Sequence, residues 1–250
     1  MRGLARELVD LRPDIIVVSS GPATKAVQQA TRTIPIVFVY AGDPIANGYL
    51  ADIAHPEGNI TGVTDLFPSI GGKWLELLKR TVPGLSRVAL LFSLEFLNEA
   101  TMAAIEGAAI RLDVKAMRTV IRSSDDILPA LDAFAAELGG GVIPLPPLGI
   151  LPRAIELING AALRHRLPTF HNARAGAVAG GLMSYGALVP DLFRQGAPDY
   201  VDRILRGAKP GDLPVQFSTR FELVLNLKTA TAIGIELPPQ IRALADEVIE

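Results

Sequence analysis

The chain has 250 residues, 49% of them hydrophobic and 20% charged, which is long enough to bury a core and too apolar for a disordered tail. Its 24 Lys and Arg stand against 26 Asp and Glu, a net charge of −2, so no overall basic field exists to draw nucleic acid or anionic lipid. The absence of Cys excludes disulfides, iron–sulfur clusters and thiol nucleophiles, and the apolar runs are far shorter than the roughly 18 residues of a membrane span.

Arg6 and Glu7 place charge where a secretory leader would be apolar, so the first residues are not a signal peptide. Leu4, Leu8 and Leu11 share one helical face, and Pro13 ends that helix. Ile15-Ile16-Val17-Val18 reads as a strand buried on both faces of a parallel sheet, followed by Ser19-Ser20-Gly21-Pro22 and a helix over 23–31. The unit repeats with a strand over 34–40, the turn Ala41-Gly42-Asp43-Pro44, a short strand over 59–64 and a helix over 72–82 that carries Trp74.

A second series follows, with strands at 88–92, 114–120, 141–145 and 167–170. They alternate with helices at 98–112, 124–138 (capped by Ser124 and Asp125) and 150–165. Such alternation predicts an α/β architecture with right-handed parallel crossovers, in two Rossmann-like lobes. A helix over 191–206, a linker over 209–214, a β-rich stretch over 215–226 and a helix over 228–233 stopped by Gly234 complete the chain.

The three histidines, His55, His165 and His171, lack metal-ligand spacing, so no metal is expected, while His171 follows a strand where a ligand can be met. No nucleophile elbow, phosphate loop or dinucleotide fingerprint is present, so no cofactor and no catalytic residue is assigned. The Ser19–Ser20 hydroxyls and the amides after Gly21 suit a carboxylate or phosphate at a helix start; an ordinary helix cap is the plain alternative. Asp43 suits a ligand hydroxyl or ammonium, or else an Asx turn. The strand-end rings Tyr40, Phe92, Phe170 and Tyr185 suit a planar solute, with core packing as the alternative.

The ordered pieces Ser20-Gly21-Pro22-Ala23, Ile34-Pro35-Ile36-Val37-Phe38, Asp43-Pro44, His55-Pro56-Glu57-Gly58-Asn59-Ile60-Thr61-Gly62-Val63 and Leu75-Glu76-Leu77-Leu78-Lys79 form a set. Gly180-Gly181-Leu182-Met183-Ser184-Tyr185-Gly186 and Phe221-Glu222-Leu223-Val224-Leu225-Asn226-Leu227-Lys228-Thr229-Ala230 continue it. The set resembles the ABC-transporter substrate-binding protein family that includes tryptophan- and tyrosine-binding members. The resemblance runs from Pro13 to Glu250.

It implies a type I periplasmic-binding-protein fold: a first lobe from 1–63 plus about 185–215, a second from 64–184 plus about 216–250, and a solute captured between them. Family chains open with a leader, a strand, a helix and a second strand, so the resemblance also implies a first lobe lacking its N-terminal βαβ segment and a sheet edge open to a second copy. Carried over by position, Ser20, Gly21, Ala23, Asp43 and Thr64 would face the ligand from the first lobe, with 62–64 forming a crossing. Ser93, Pro146, Asn172, Ser184 and Tyr185 would do so from the second. The implied protein is periplasmic or lipid-anchored outside the cytoplasm. It hands a small solute, an amino acid or aromatic carboxylate, to a membrane permease with no chemical step and no nucleic-acid partner. A cytoplasmic α/β enzyme or the ligand-sensing domain of a regulator is the alternative.

Overall fold

A computed structural model describes residues 1–65, 68–146, 148, 151 and 153–250. The chain forms two compact units, one from Met1–Phe67 with Ala187–Arg220 and one from Pro68–Gly186 with Phe221–Glu250.

The first unit opens with α1 (Arg2–Asp10), β1 (Ile16–Ser19), α2 (Gly21–Ala30), β2 (Ile36–Val39) and β3 (Ile60–Thr64). Its sheet runs β1-β2-β3-β9, with β9 at Gln216–Phe217, and every pair is parallel. The β-branched and aromatic run of β2 is completely buried, as a central parallel strand requires. β1 departs from the expectation of burial on both faces. It is the sheet's edge strand, and Val17 is 49% exposed while Ile16 and Val18 are buried. The face of α1 is also not the one its leucines suggest: Ala5 is buried, whereas Leu4 and Leu11 are 70% and 78% exposed.

Residues 62–64, expected as a crossing, lie inside β3 with β2 on one side and, from Val63 on, β9 on the other. Gly62 belongs there because a Cβ would strike the Phe38 backbone on the neighbouring strand. The expected helix at 191–206 is instead α8 (Val189–Asp191), a π-turn (Leu192–Gly196) and α9 (Ala197–Leu205). That bulge lets Gly196 approach β3 so closely that a Cβ would lie 2.6 Å from Val63 Cγ2. The stretch 209–214, expected as a linker, is anchored by buried Pro210 and Leu213, with Leu213 O accepting the Thr61 hydroxyl at 2.7 Å.

The second unit comprises α3 (Ile70–Thr81), β4 (Arg87–Phe92), α4 (Glu99–Arg111), β5 (Lys115–Val120), α5 (Ile127–Phe134), β6 (Gly140–Pro144) and α6 (Ala154–Arg164). β7 (Phe170–His171), α7 (Arg174–Val178), β8 (Met183–Ala187), β10 (Phe221–Asn226), α10 (Leu227–Ile233), α11 (Pro239–Arg242) and β11 (Glu247–Ile249) follow. Sheets β5-β4-β6 and β11-β10-β8-β7 meet at a parallel bridge between Val142 and Thr169. The helix expected from 124 begins as a 3₁₀ turn, and its capping box is formed by Ser123 with Asp126 in place of Ser124 and Asp125. The expected start at Ile150 lies outside the described residues. Gly234 closes α10 at φ 76°, the left-handed stop expected of it.

Trp74 is buried on α3, 6.5 Å from the Phe170 ring, and its Nε1 donates to Tyr185 O at 2.9 Å. Gly62→Ala is expected to lower the stability of the first unit by about 1–3 kcal/mol through overpacking, read as a lower midpoint in urea with an unchanged slope. Gly3→Ala, in α1 with open space around its Cβ position, is the control and should leave the midpoint unchanged or raise it slightly.

Candidate functional site

Because β1, β2 and β3 are parallel, their carboxyl ends share one edge, and the residues just past them form a rim. Ser20 follows β1 and Tyr40 follows β2, both non-glycine residues with positive φ, 77° and 56°. Such backbone is held against its own preference and clusters at ligand-facing turns. Gly21 opens α2, pressed beneath the loop that follows β2: a Cβ would lie 2.7 Å from the Tyr49 hydroxyl and 3.3 Å from Ala41 O. The Gly21 and Ala23 amides precede any intrahelical acceptor, and Pro22 has none to offer.

Asp43 is buried at 9% exposure, and its Oδ1 accepts from the Ile45 and Ala46 amides at 2.9 and 3.0 Å. This is the Asx turn, with one oxygen committed to the loop. Thr64, at the end of β3, donates its hydroxyl to Gly42 O. The structure therefore brings Ser20, Gly21, Ala23, Asp43 and Thr64 to one rim.

Asp65, which strand-end reasoning passed over, completes that rim. It is 8% exposed, its Oδ1 accepts the Gly42 amide at 3.3 Å, and burial raises its carboxyl to about 6. Among the described residues no Lys, Arg or His forms an ion pair with it. The signal was available: a carboxylate directly after a buried strand is the rule already applied to Asp43. Asn47 was missed as well, and its Nδ2 holds Ala41 O at 3.2 Å.

In the same unit a cavity of about 260 Å³ is lined by Val63, Asp191, Gly196, Ser218 and Arg220 among others. Its polar groups satisfy each other, Arg220 Nη1 donating to Asp191 Oδ2 at 2.5 Å and Ser218 Oγ to Arg220 O at 2.8 Å.

In the second unit, Ser93 follows β4, Pro146 follows β6 and Asn172 follows β7, each partly exposed at a strand's carboxyl end. The backbone of Gly186 lies so close to Asn172 that a Cβ would fall on the Asn172 carbonyl. Ser184 is different: it is fully buried, and its hydroxyl has no hydrogen-bond partner among the described residues. Of the four strand-end rings, Phe92 and Phe170 are core residues, while Tyr185 stays partly exposed and stacks on Phe221 at 5.6 Å with planes 21° apart.

His171, which its place after a strand offered as a ligand contact, is sealed in the core. Gly176 and Gly181 lie against its ring, and its Nε2 shares a 2.8 Å hydrogen bond with Asn159 Oδ1. Asn159 in turn donates to Gly176 O and Ala179 O at 3.1 and 3.0 Å. Burial depresses the imidazole to about 4.

Alternating helices over parallel sheets in two units, with polar turns at the strand ends, define the class of type I periplasmic binding proteins. The chain belongs to the ABC transporter substrate binding protein family, whose model matches residues 2–249. It is similar to the "Tyrosine-binding protein" of Clostridioides difficile (strain R20291), at 22% identity over 236 residues, spanning 94% of this chain and 67% of that protein. Among solved structures it is similar to a conserved domain protein from Vibrio cholerae O1 biovar El Tor, with TM-score 0.89, 29% identity and coverage of 99% of this chain and 82% of that one. The ABC domain in complex with L-Trp from Streptococcus pneumoniae shares the fold, with TM-score 0.89, 24% identity and coverage of 99% and 83%.

Function follows from membership: the chain is a solute-binding component of an ABC transporter, and the regulator alternative is the weaker reading. The family works outside the cytoplasm, and no helix among the described residues is long and apolar enough to cross a membrane.

The two perturbed groups titrate with opposite consequences. An unfolded imidazole near 6.5 takes up a proton that the folded His171 refuses, so this contribution to stability is complete above pH 6.5 and is lost, up to about 3 kcal/mol, as the pH falls toward 4. The folded Asp65 holds its proton to about 6 against 3.8 unfolded, so its cost is absent below 3.8 and grows to about 3 kcal/mol as the pH rises through 6. Asp65→Asn should therefore raise the melting temperature at pH 7.5 and change nothing at pH 4. His171→Gln should flatten the decline between pH 6.5 and 4. Calorimetric melts of both variants across that range check the two signs.

Proposed function

We propose that the chain receives a free amino acid with an aromatic side chain, holds it by its ammonium and carboxylate groups, and passes it chemically unchanged to a membrane permease. The observation that carries this reading is Asp65: a buried carboxylate without a cationic partner among the described residues, at a rim that already holds Asp43. An isolated buried carboxylate is costly, and a ligand ammonium offsets that cost by pairing with it. Two strands along the same sheet edge, the α2 start with its Gly21 and Ala23 amides and the Ser20 hydroxyl suits a carboxylate.

Within the second unit by itself, Ser93, Pro146 and Asn172 stand at strand ends as further candidate solute contacts, and Tyr185 stacked on Phe221 is a flat apolar platform suited to a ring. The named specificities of the tyrosine-binding relative and the L-Trp complex agree with this class of solute. Ser184 supports Tyr185 from within its strand and makes no direct contact in this reading.

Isothermal titration at pH 7.5 should show binding of L-tyrosine or L-tryptophan and none of the corresponding desamino acids. Asp65→Asn should weaken amino-acid binding at least tenfold, matching the loss of a charge-assisted hydrogen bond of about 1.5–3 kcal/mol. Because Asp65 must be ionised to receive an ammonium, wild-type affinity should fall as the pH drops below 6. Equal binding of the amino and desamino compounds, or turnover of either, would end this reading.

A further inference from the structure

Tyr49 lies on the loop that follows β2 and is 4% exposed, its ring packed in the first unit's core 6.1 Å from the Phe38 ring. Its main chain is tied down at both polar groups: the amide donates to Pro44 O at 2.9 Å, and the carbonyl accepts from Gln28 Nε2. The hydroxyl is treated differently and makes no hydrogen bond among the described residues. The fully enclosed side-chain atoms without a partner among those residues are Arg87 Nε, Thr101 Oγ1 and Ser184 Oγ, so the Tyr49 oxygen keeps an opening to solvent.

That oxygen stands against the start of α2. A Cβ on Gly21 would lie 2.7 Å from it, so the glycine lets the phenol reach the first residue of the helix. α2 is ten residues long and begins uncapped: the Ser20 side chain makes no cap bond, and the first turn holds no acidic residue. The Gly21 and Ala23 amides have no intrahelical acceptor. Burial holds the Tyr49 phenol above its ordinary range, so it stays protonated and donates. Two amides and a phenol O–H therefore stand at one positive helix end with no acceptor of their own.

A carboxylate suits this set, because its two oxygens offer about four acceptor sites and its charge is favoured at a helix start. We infer that the Tyr49 hydroxyl donates to the carboxylate of the solute beside the α2 amides, which makes Tyr49 the residue that selects an amino acid over the amine formed by its decarboxylation. The inference rests on the proposed function and names one more contact of the same site. Tyr49 is suited to this role by its rigidity: its ring is already fixed by the core, so little side-chain freedom is lost when the solute arrives. The hydroxyl, partly desolvated and unbonded in the free protein, gains a charge-assisted hydrogen bond on binding.

Isothermal titration of L-tyrosine and of tyramine, which share the ring and the ammonium and differ by the carboxylate, into the wild-type chain and into Tyr49→Phe tests this. Phe keeps the packed ring and removes a hydroxyl that bonds nothing in the free protein, so the melting temperature without solute should not fall. The variant should bind L-tyrosine about tenfold more weakly, the size of a lost hydrogen bond to a charged group, while tyramine binds both proteins equally. An unchanged affinity for L-tyrosine, or an equal loss for both compounds, overturns the inference and leaves the proposed function standing. Equal binding of L-tyrosine and its desamino acid by the wild type, both weakened by Tyr49→Phe, ends the amino-acid reading and leaves Tyr49 as a carboxylate contact. A wild-type chain that binds none of the three overturns both.

Discussion

In a parallel pair the chain must return over the sheet before the next strand can begin, so all carboxyl ends fall on one edge and all helix starts follow from it. The candidate site of the first unit rests on this constraint. β1, β2 and β3 deliver Ser20, Tyr40 and Asp65 to the same rim, and the start of α2 follows from the first of them without any added element. Close packing keeps the rim narrow. Gly62 lets β3 lie against Phe38, Gly196 lets the π-turn lie against Val63, and Gly21 fits beneath Tyr49 and Ala41. A side chain at any of these glycines would push a strand end or helix start outward.

The two units treat buried titratable groups in contrasting ways. His171 sits in a closed network in which Asn159 bonds both the ring and two backbone carbonyls, leaving nothing for a solute to do. Asp65 is hydrogen-bonded by its own amide, the Gly42 amide and the Thr64 side chain, and among the described residues it has no cation. A neutral buried group with its bonds made specifies packing, whereas a buried charge without a counter-charge leaves free energy to be recovered when something binds. This contrast separates the histidine that sequence position offered as a contact from the aspartate it overlooked.

The alternation of strands and helices was legible because parallel strands are short apolar runs and crossover helices carry a clear period. Boundaries moved by a few residues at most where the structure describes them. What could not be read was the neighbour of each element. The β1 run has the composition of a central strand, and nothing within it says that one side is open. The leucines of α1 share a face in sequence, and only the packing of Ala5 on the α2 side shows that this face is the outer one. The five residues that the family resemblance carried to the first unit, Ser20, Gly21, Ala23, Asp43 and Thr64, lie at or just past its strand ends. His171 also follows a strand, but it turns inward, where two glycines make room for its ring.

Trp74 is the only indole in the chain, buried in the second unit and hydrogen-bonded to the carbonyl of Tyr185. Three of the four tyrosines, at 40, 49 and 200, belong to the first unit. Nature has thus given the molecule separate optical labels. Indole fluorescence reports on one half alone, and from a position bonded to the backbone of the ring stacked on Phe221, so a change in emission colour can follow that half through events to which the phenol absorbance of the other is blind.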